Sequence, residues 1–171
     1  MIEWQYYPKS DSAPKILLNI VEIFREHESV IDSSQTRKQR LPSNEVLAFL
    51  RDDLLEKGFK VETGRKATER IRVPVLFGRN GRPEKSFEVD AYHEETGTVL
   101  EVEAGRAFTN YQFLKDLFEA CMMHNVCYLA IAVRNIYRNH QDFEKVITHF
   151  DTLYASGRLS LPLKGILIIG Y

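Results

Sequence analysis

Three carboxylates in one short stretch set the chemical question. Residues 85–105 read as two strands joined by a tight turn. Phe87, Val89 and Ala91 alternate with Glu88, Asp90 and Tyr92, and Leu100 and Val102 alternate with Val99, Glu101 and Glu103. A period of two is a strand signal, and Thr96-Gly97 supplies a turn in which glycine can take positive φ. Glu101 and Glu103 therefore project from one strand face, roughly 7 Å apart. A two-residue loop at Glu95-Thr96 sets Asp90 opposite Glu101 on that face. A three-residue loop ending at Gly97 pairs Asp90 with Val102 instead, unless a bulge restores the parity. Converging carboxylates repel, and a fold tolerates them through solvation, raised pKa values or a bound cation. Hard oxygen donors of this kind suit Mg²⁺, Mn²⁺ or Ca²⁺. A solvent-facing acidic hairpin is the plain alternative.

The chain that must position these groups has 171 residues, a formal net charge of −1 and a pI near 6.5. That length suits one domain over 1–171 with a core of its own. The near-neutral balance gives no global pull on nucleic acid, so any such partner needs a local basic patch. Cys121 and Cys127 have no metal-type spacing and sit among apolar residues, which reads as core thiols in a reducing, cytoplasmic setting. The N-terminus lacks a signal pattern, and no apolar run is long enough to span a membrane.

In chain order, Ser10–Pro14 opens a helix with Ile16, Leu17, Ile20, Val21 and Phe24 on one face. Residues 33–40 are a basic connection, a solvated loop or a set of phosphate contacts through Arg37, Lys38 and Arg40. Ser43 is the expected N-cap of a second helix closed by Gly58, with Glu45 in its first turn, where an acid favours the helix dipole. Phe59–Glu62 is a strand, residues 63–72 are basic, and Val73–Phe77 is extended, with Pro74 arguing for an edge. After the acidic hairpin, Thr109 and Gln112 fit a capping box. The helix they open carries Leu114, Leu117, Phe118, Cys121 and Met122 on its expected apolar face. Val126–Val133 is apolar on both faces, as a buried parallel strand is. A helix over Phe143–Leu153 and a strand at Gly165–Ile169 complete a mixed β-sheet flanked by helices, an α/β fold. His27, His93, His124, His140 and His149 are scattered and read as structural.

A helix, three antiparallel strands, a helix and a buried strand, with Asp90 on the second strand and Glu101-Val-Glu103 on the third, resembles the PD-(D/E)XK nuclease superfamily, which includes type II restriction endonucleases. The Glu-x-Glu ending, where most members carry Lys, resembles the BamHI/BglII branch. The resemblance covers about Ser43 to Val133 and implies a restriction-endonuclease-like αβββαβ core with an extra N-terminal helix and a C-terminal helix-strand. The position before the Asp is Val89 rather than Pro, and the absent Lys fits either the Glu form of the mechanism or a site that no longer cleaves.

Carried over by position, Asp90 and Glu101 hold Mg²⁺ (or Mn²⁺). Glu103 stands in for the lysine beside the attacking water or at a second metal, and Glu45 matches the helix acid some members add. Metals between carboxylates lower the pKa of water and neutralise charge at a scissile phosphate. Arg106 and Lys115 are candidates to stabilise the transition state. A salt bridge to Glu103 explains Arg106 equally well, and a snorkelling surface lysine explains Lys115. A helix cap and core packing account for Tyr111 and Gln112. The expected function is metal-dependent endonucleolytic hydrolysis of DNA by a homodimer. Arg37, Lys38, Arg40, Arg65, Lys66, Arg70, Arg79, Arg82, Arg134 and Arg138 are candidate backbone contacts. The rival expectations are an inactive nuclease-fold module that binds DNA or protein, and a metal-dependent hydrolase of another phosphorylated substrate.

Overall fold

A six-stranded sheet sorts the apolar residues into two layers. The structure is a computed structural model, and it describes residues 1–33, 41–64, 66–105, 107–108, 110–137 and 140–171. The strands are β1 (Glu3–Tyr7), β2 (Lys60–Val61), β3 (Ile71–Phe77), β4 (Pro83–Val89), β5 (Ala91–His93), β6 (Thr98–Glu103), β7 (Tyr128–Val133), β8 (Ile136–Tyr137), β9 (His140–Gln141) and β10 (Gly165–Gly170). The helices are α1 (Lys15–Glu26), α2 (Glu28–Ile31), α3 (Ser43–Glu56), α4 (Gln112–Met122) and α5 (Asp142–Ser156). The main sheet has the order β1-β10-β7-β6-β5-β2. β6, β7 and β10 run parallel, while β1, β5 and β2 pair antiparallel at the two sides. This is the mixed, helix-flanked sheet expected from the sequence.

Both faces of β7 and β10 are buried, which is why these strands read as unbroken apolar runs. On one face Leu100, Val102, Ala130, Ala132, Leu167 and Ile169 pack under α1 and α3. On the other, Val99, Leu129, Ile131, Val133, Ile166 and Ile168 pack under α4 and α5. Each fully buried Leu, Ile or Val contributes on the order of 1.5–3 kcal/mol.

Three features differ from the sequence expectations. A strand, β1, precedes the first helix and pairs with β10; its five residues give too short an alternation to stand out. Ser43 is the first helical residue of α3 rather than its cap, because extended Pro42 supplies the carbonyl that accepts Glu45 N–H (3.0 Å) and Val46 N–H (3.1 Å). The first strand of the acidic hairpin is also divided. β4 leaves the main sheet to pair with β3 in a two-stranded arm, and β5 alone pairs with β6. Pro74, on β3, sits in that arm beside a register shift, as its missing N–H requires. Gly58 follows α3 with φ 89°, the helix-ending conformation its position predicts.

Candidate active site

Asp90 lies at the joint where β4 and β5 part. Its carbonyl accepts Glu62 N–H at 2.8 Å, and its carboxylate Oδ2 accepts Val102 N–H at 2.7 Å. Ala91 pairs with Leu100, so the same register places Asp90 opposite Glu101. The turn meets the parity that this needs: Gly97 N–H donates to Glu94 O (3.3 Å), leaving Glu95 and Thr96 at the centre. Glu101 and Glu103 pair in register with Ile131 and Val133 of β7, both in the layer under α4 and α5. The acids of β6 therefore point toward α4.

There they meet an acid that the sequence reading missed. Asp116 is 5% exposed on the inner face of α4, with Phe113, Leu117 and Ala120. The sequence pattern predicts a face of Leu114, Leu117, Phe118, Cys121 and Met122, of which Leu117 is buried as expected. Phe118 is 58% exposed and Met122 50% exposed. Rotating the phase to Phe113, Leu117 and Ala120 brings Asp116 inward, so a charged residue one position before a core leucine was the signal available. Thr109 lies outside the described residues, and Tyr111, with φ 52°, takes the N-cap position of α4.

Burial and mutual repulsion push all four carboxyls up. Burial is the largest cause at each. Asp90 reaches about 6, held down by the Val102 N–H and pushed up by Glu62. Glu103 reaches about 7 under the further influence of Asp90, and Asp116 about 8 under that of Glu103. Glu101 rises well above the usual range, with Asp90, Asp116 and Glu103 adding to its burial. Glu103 and Asp116 lie within hydrogen-bonding reach of each other. Among the described residues, Lys115 is the cation that acts on all four acids. Its Nζ lies 3.4 Å from Glu119 Oε2 and 4.0 Å from Asp116 Oδ1, and its charge lowers all four acids. Beside it runs a polar groove of about 520 Å³ between β4 and α4, lined by Arg72, Lys85 and Lys115 and by Glu84, Glu88 and Glu119.

The donor set suits a hard divalent cation: carboxylate oxygens only, with a buried Asp116 Oδ2 that no described protein group satisfies. Among the described residues, no three His, Cys, Asp or Glu side chains are already gathered into a metal-holding group. One oxygen of Asp90 is engaged by the Val102 N–H.

The other sequence candidates divide. Glu45 is exposed on α3, whose buried residues pack on the opposite face of the sheet, so the helix acid beside the β6 carboxylates is Asp116 instead. Arg134 is 6% exposed, donates to the Leu41 carbonyl at 2.6 Å and lies over the Tyr137 ring, contacts that brace the fold. Arg70 pairs with Glu88, and Lys66 lies 4.0 Å from Glu69. Arg79 and Arg82 are exposed at the tip of the β3–β4 arm. Arg37, Lys38, Arg40, Arg65, Arg106 and Arg138 lie outside the described residues. Two histidines have structural partners: His27 lies 2.6 Å from Asp53, and buried His93 accepts from Thr96. Cys121 and Cys127 are free thiols. No helix among the described residues is long and apolar enough to cross a membrane.

No family model and no curated protein sequence matches this chain. Among solved structures, it is similar to the restriction endonuclease BglII, crystallised with a DNA 16-mer, at a TM-score of 0.61 and 16% identity, covering 99% of this chain and 77% of that one. At that identity the likeness speaks for the backbone, and the backbone is restriction-endonuclease-like: a mixed sheet flanked by helices.

Proposed function

We propose that this protein is a Mg²⁺- or Mn²⁺-dependent endonuclease that hydrolyses DNA phosphodiester bonds, acting as one domain over 1–171 and as a homodimer in the cytoplasm. What carries the reading is the convergence of Asp90, Glu101 and Glu103 on the α4 side of a restriction-endonuclease-like sheet. Asp90 and Glu101 would hold the cation, which would lower the pKa of a water and neutralise charge at the scissile phosphate. Glu103, raised toward neutrality by burial, stands where most members carry Lys, placed either to accept the proton of the attacking water or to hold a second cation. Lys115 places a positive charge beside the reacting group, a role we assign also to Arg106, three residues beyond the end of β6 in the sequence. Arg79 and Arg82 on the arm, with Arg72 and Lys85 in the groove, face the backbone of the duplex. A DNA-binding module without hydrolysis is the second reading, favoured by the lack of a pre-gathered metal group among the described side chains.

The deciding experiment is cleavage of supercoiled plasmid and of single-stranded DNA with Mg²⁺, Mn²⁺ or EDTA, comparing wild type with Asp90→Ala and Glu101→Ala. Metal-dependent cutting by wild type, lost in both variants, is the expected result. DNA binding and cation-dependent thermal stabilisation without cutting would select the module instead.

A further inference from the structure

Asp116 occupies a position where α4 otherwise buries Phe113, Leu117 and Ala120. An acid there costs several kcal/mol unless something positive compensates it. Lys115 does so in part: it sits at the rim, half exposed and closer to Glu119 than to Asp116. No described N–H or O–H group donates to Asp116 Oδ2, and the side chain within hydrogen-bonding reach of Asp116 is a second acid, Glu103. One oxygen pair is thus carried by a helix and the other by a strand, with a charge deficit between them. Nothing in the packing of α4 requires a carboxyl at this place.

We propose that Asp116 is a cation ligand of this site: Asp116 from α4 and Glu103 from β6 together clasp a hard divalent cation, with water completing its shell. This rests on the cation-dependent reading above and adds a residue to it. The cation would supply the positive charge that the buried, unpartnered Asp116 Oδ2 lacks and would tie α4 to β6 across the site.

The test is calorimetric titration of the whole protein with Ca²⁺, beside melting curves with and without Ca²⁺, for wild type, D116N and Asp116→Ser. The expected result is Ca²⁺ binding by wild type that weakens by about tenfold or more in both variants. Their cation-free melting temperatures should equal or exceed that of wild type, because a buried charge has been removed. Wild-type affinity in D116N would overturn the inference and leave the cation-dependent reading standing. Weakened binding together with a lowered cation-free melting temperature in both variants would make Asp116 a structural residue and overturn it too. Absence of Ca²⁺ binding by wild type would overturn the cation-dependent reading itself.

Discussion

The two faces of β6 are built on opposite terms. Leu100 and Val102 enter a dry layer under α1 and α3, while Glu101 and Glu103, one residue away, face Asp116 of α4. Backbone pairing to β7 is continuous through all four positions, so what differs is only what stands across from each side chain. The apolar face contributes burial energy. The acidic face gives some of it back, since its carboxyls reach their preferred charge only when something positive arrives. A strand that must hold an unfavourable cluster in place is held by its other side.

The largest effect should come from erasing the contrast. Glu101→Leu makes both faces apolar. Metal-dependent cleavage should fall by at least ~100-fold, while the cation-free protein loses no stability, because a buried carboxyl crowded by other acids gives way to a hydrophobe of similar size. Parallel cleavage and melting measurements check this, and a variant that is both inactive and less stable breaks the comparison. Leu100→Ala tests the opposite face. It should cost ~2–5 kcal/mol in denaturant unfolding and leave cleavage by the folded fraction near wild type.

A third test is pH. The folded carboxyls titrate at about 6, 7 and 8 for Asp90, Glu103 and Asp116, against about 4 when unfolded. Between those limits the folded state holds more protons than the unfolded one. Cation-free stability should therefore fall as pH rises from about 4 through about 8. The rise at Asp90 alone, from an ordinary 3.8 to about 6, is worth ~3 kcal/mol. Mg²⁺ should flatten the slope in melting curves, and a slope of the opposite sign would remove the electrostatic half of the comparison. The smallest effect belongs to Glu45→Ala. It should lose ~0.3–1 kcal/mol of helix-dipole stabilisation and leave cleavage unchanged.

Much of this is legible in the sequence. Strict alternation marked β6, the double-sided apolar run marked β7, and the parity of Glu95-Thr96 set the condition under which Asp90 meets Glu101. What escaped notice depended on tertiary context. β1 is short and becomes a strand only because β10 lies beside it. The division of β4 from β5 at Asp90 leaves no trace in an alternating pattern. Asp116 was missed because Phe118 and Met122 suggested a helix face that the fold leaves in solvent. The contacts of Arg134 with Leu41 and Tyr137 could not be read from its place after a strand end.

The Gly97 turn carries one more consequence. Gly97 has φ 63°, its carbonyl accepts the N–H groups of Cys127 and Tyr128, and an added Cβ would overlap the Asn125 carbonyl oxygen. Surface turns usually absorb inserted residues without harm. This one is wedged against its neighbour loop and also sets which way Asp90 faces. Any history of length change in the protein should therefore be written in the β3–β4 arm and the β8–β9 hairpin, while the Glu94–Gly97 turn keeps one length wherever the acids are kept.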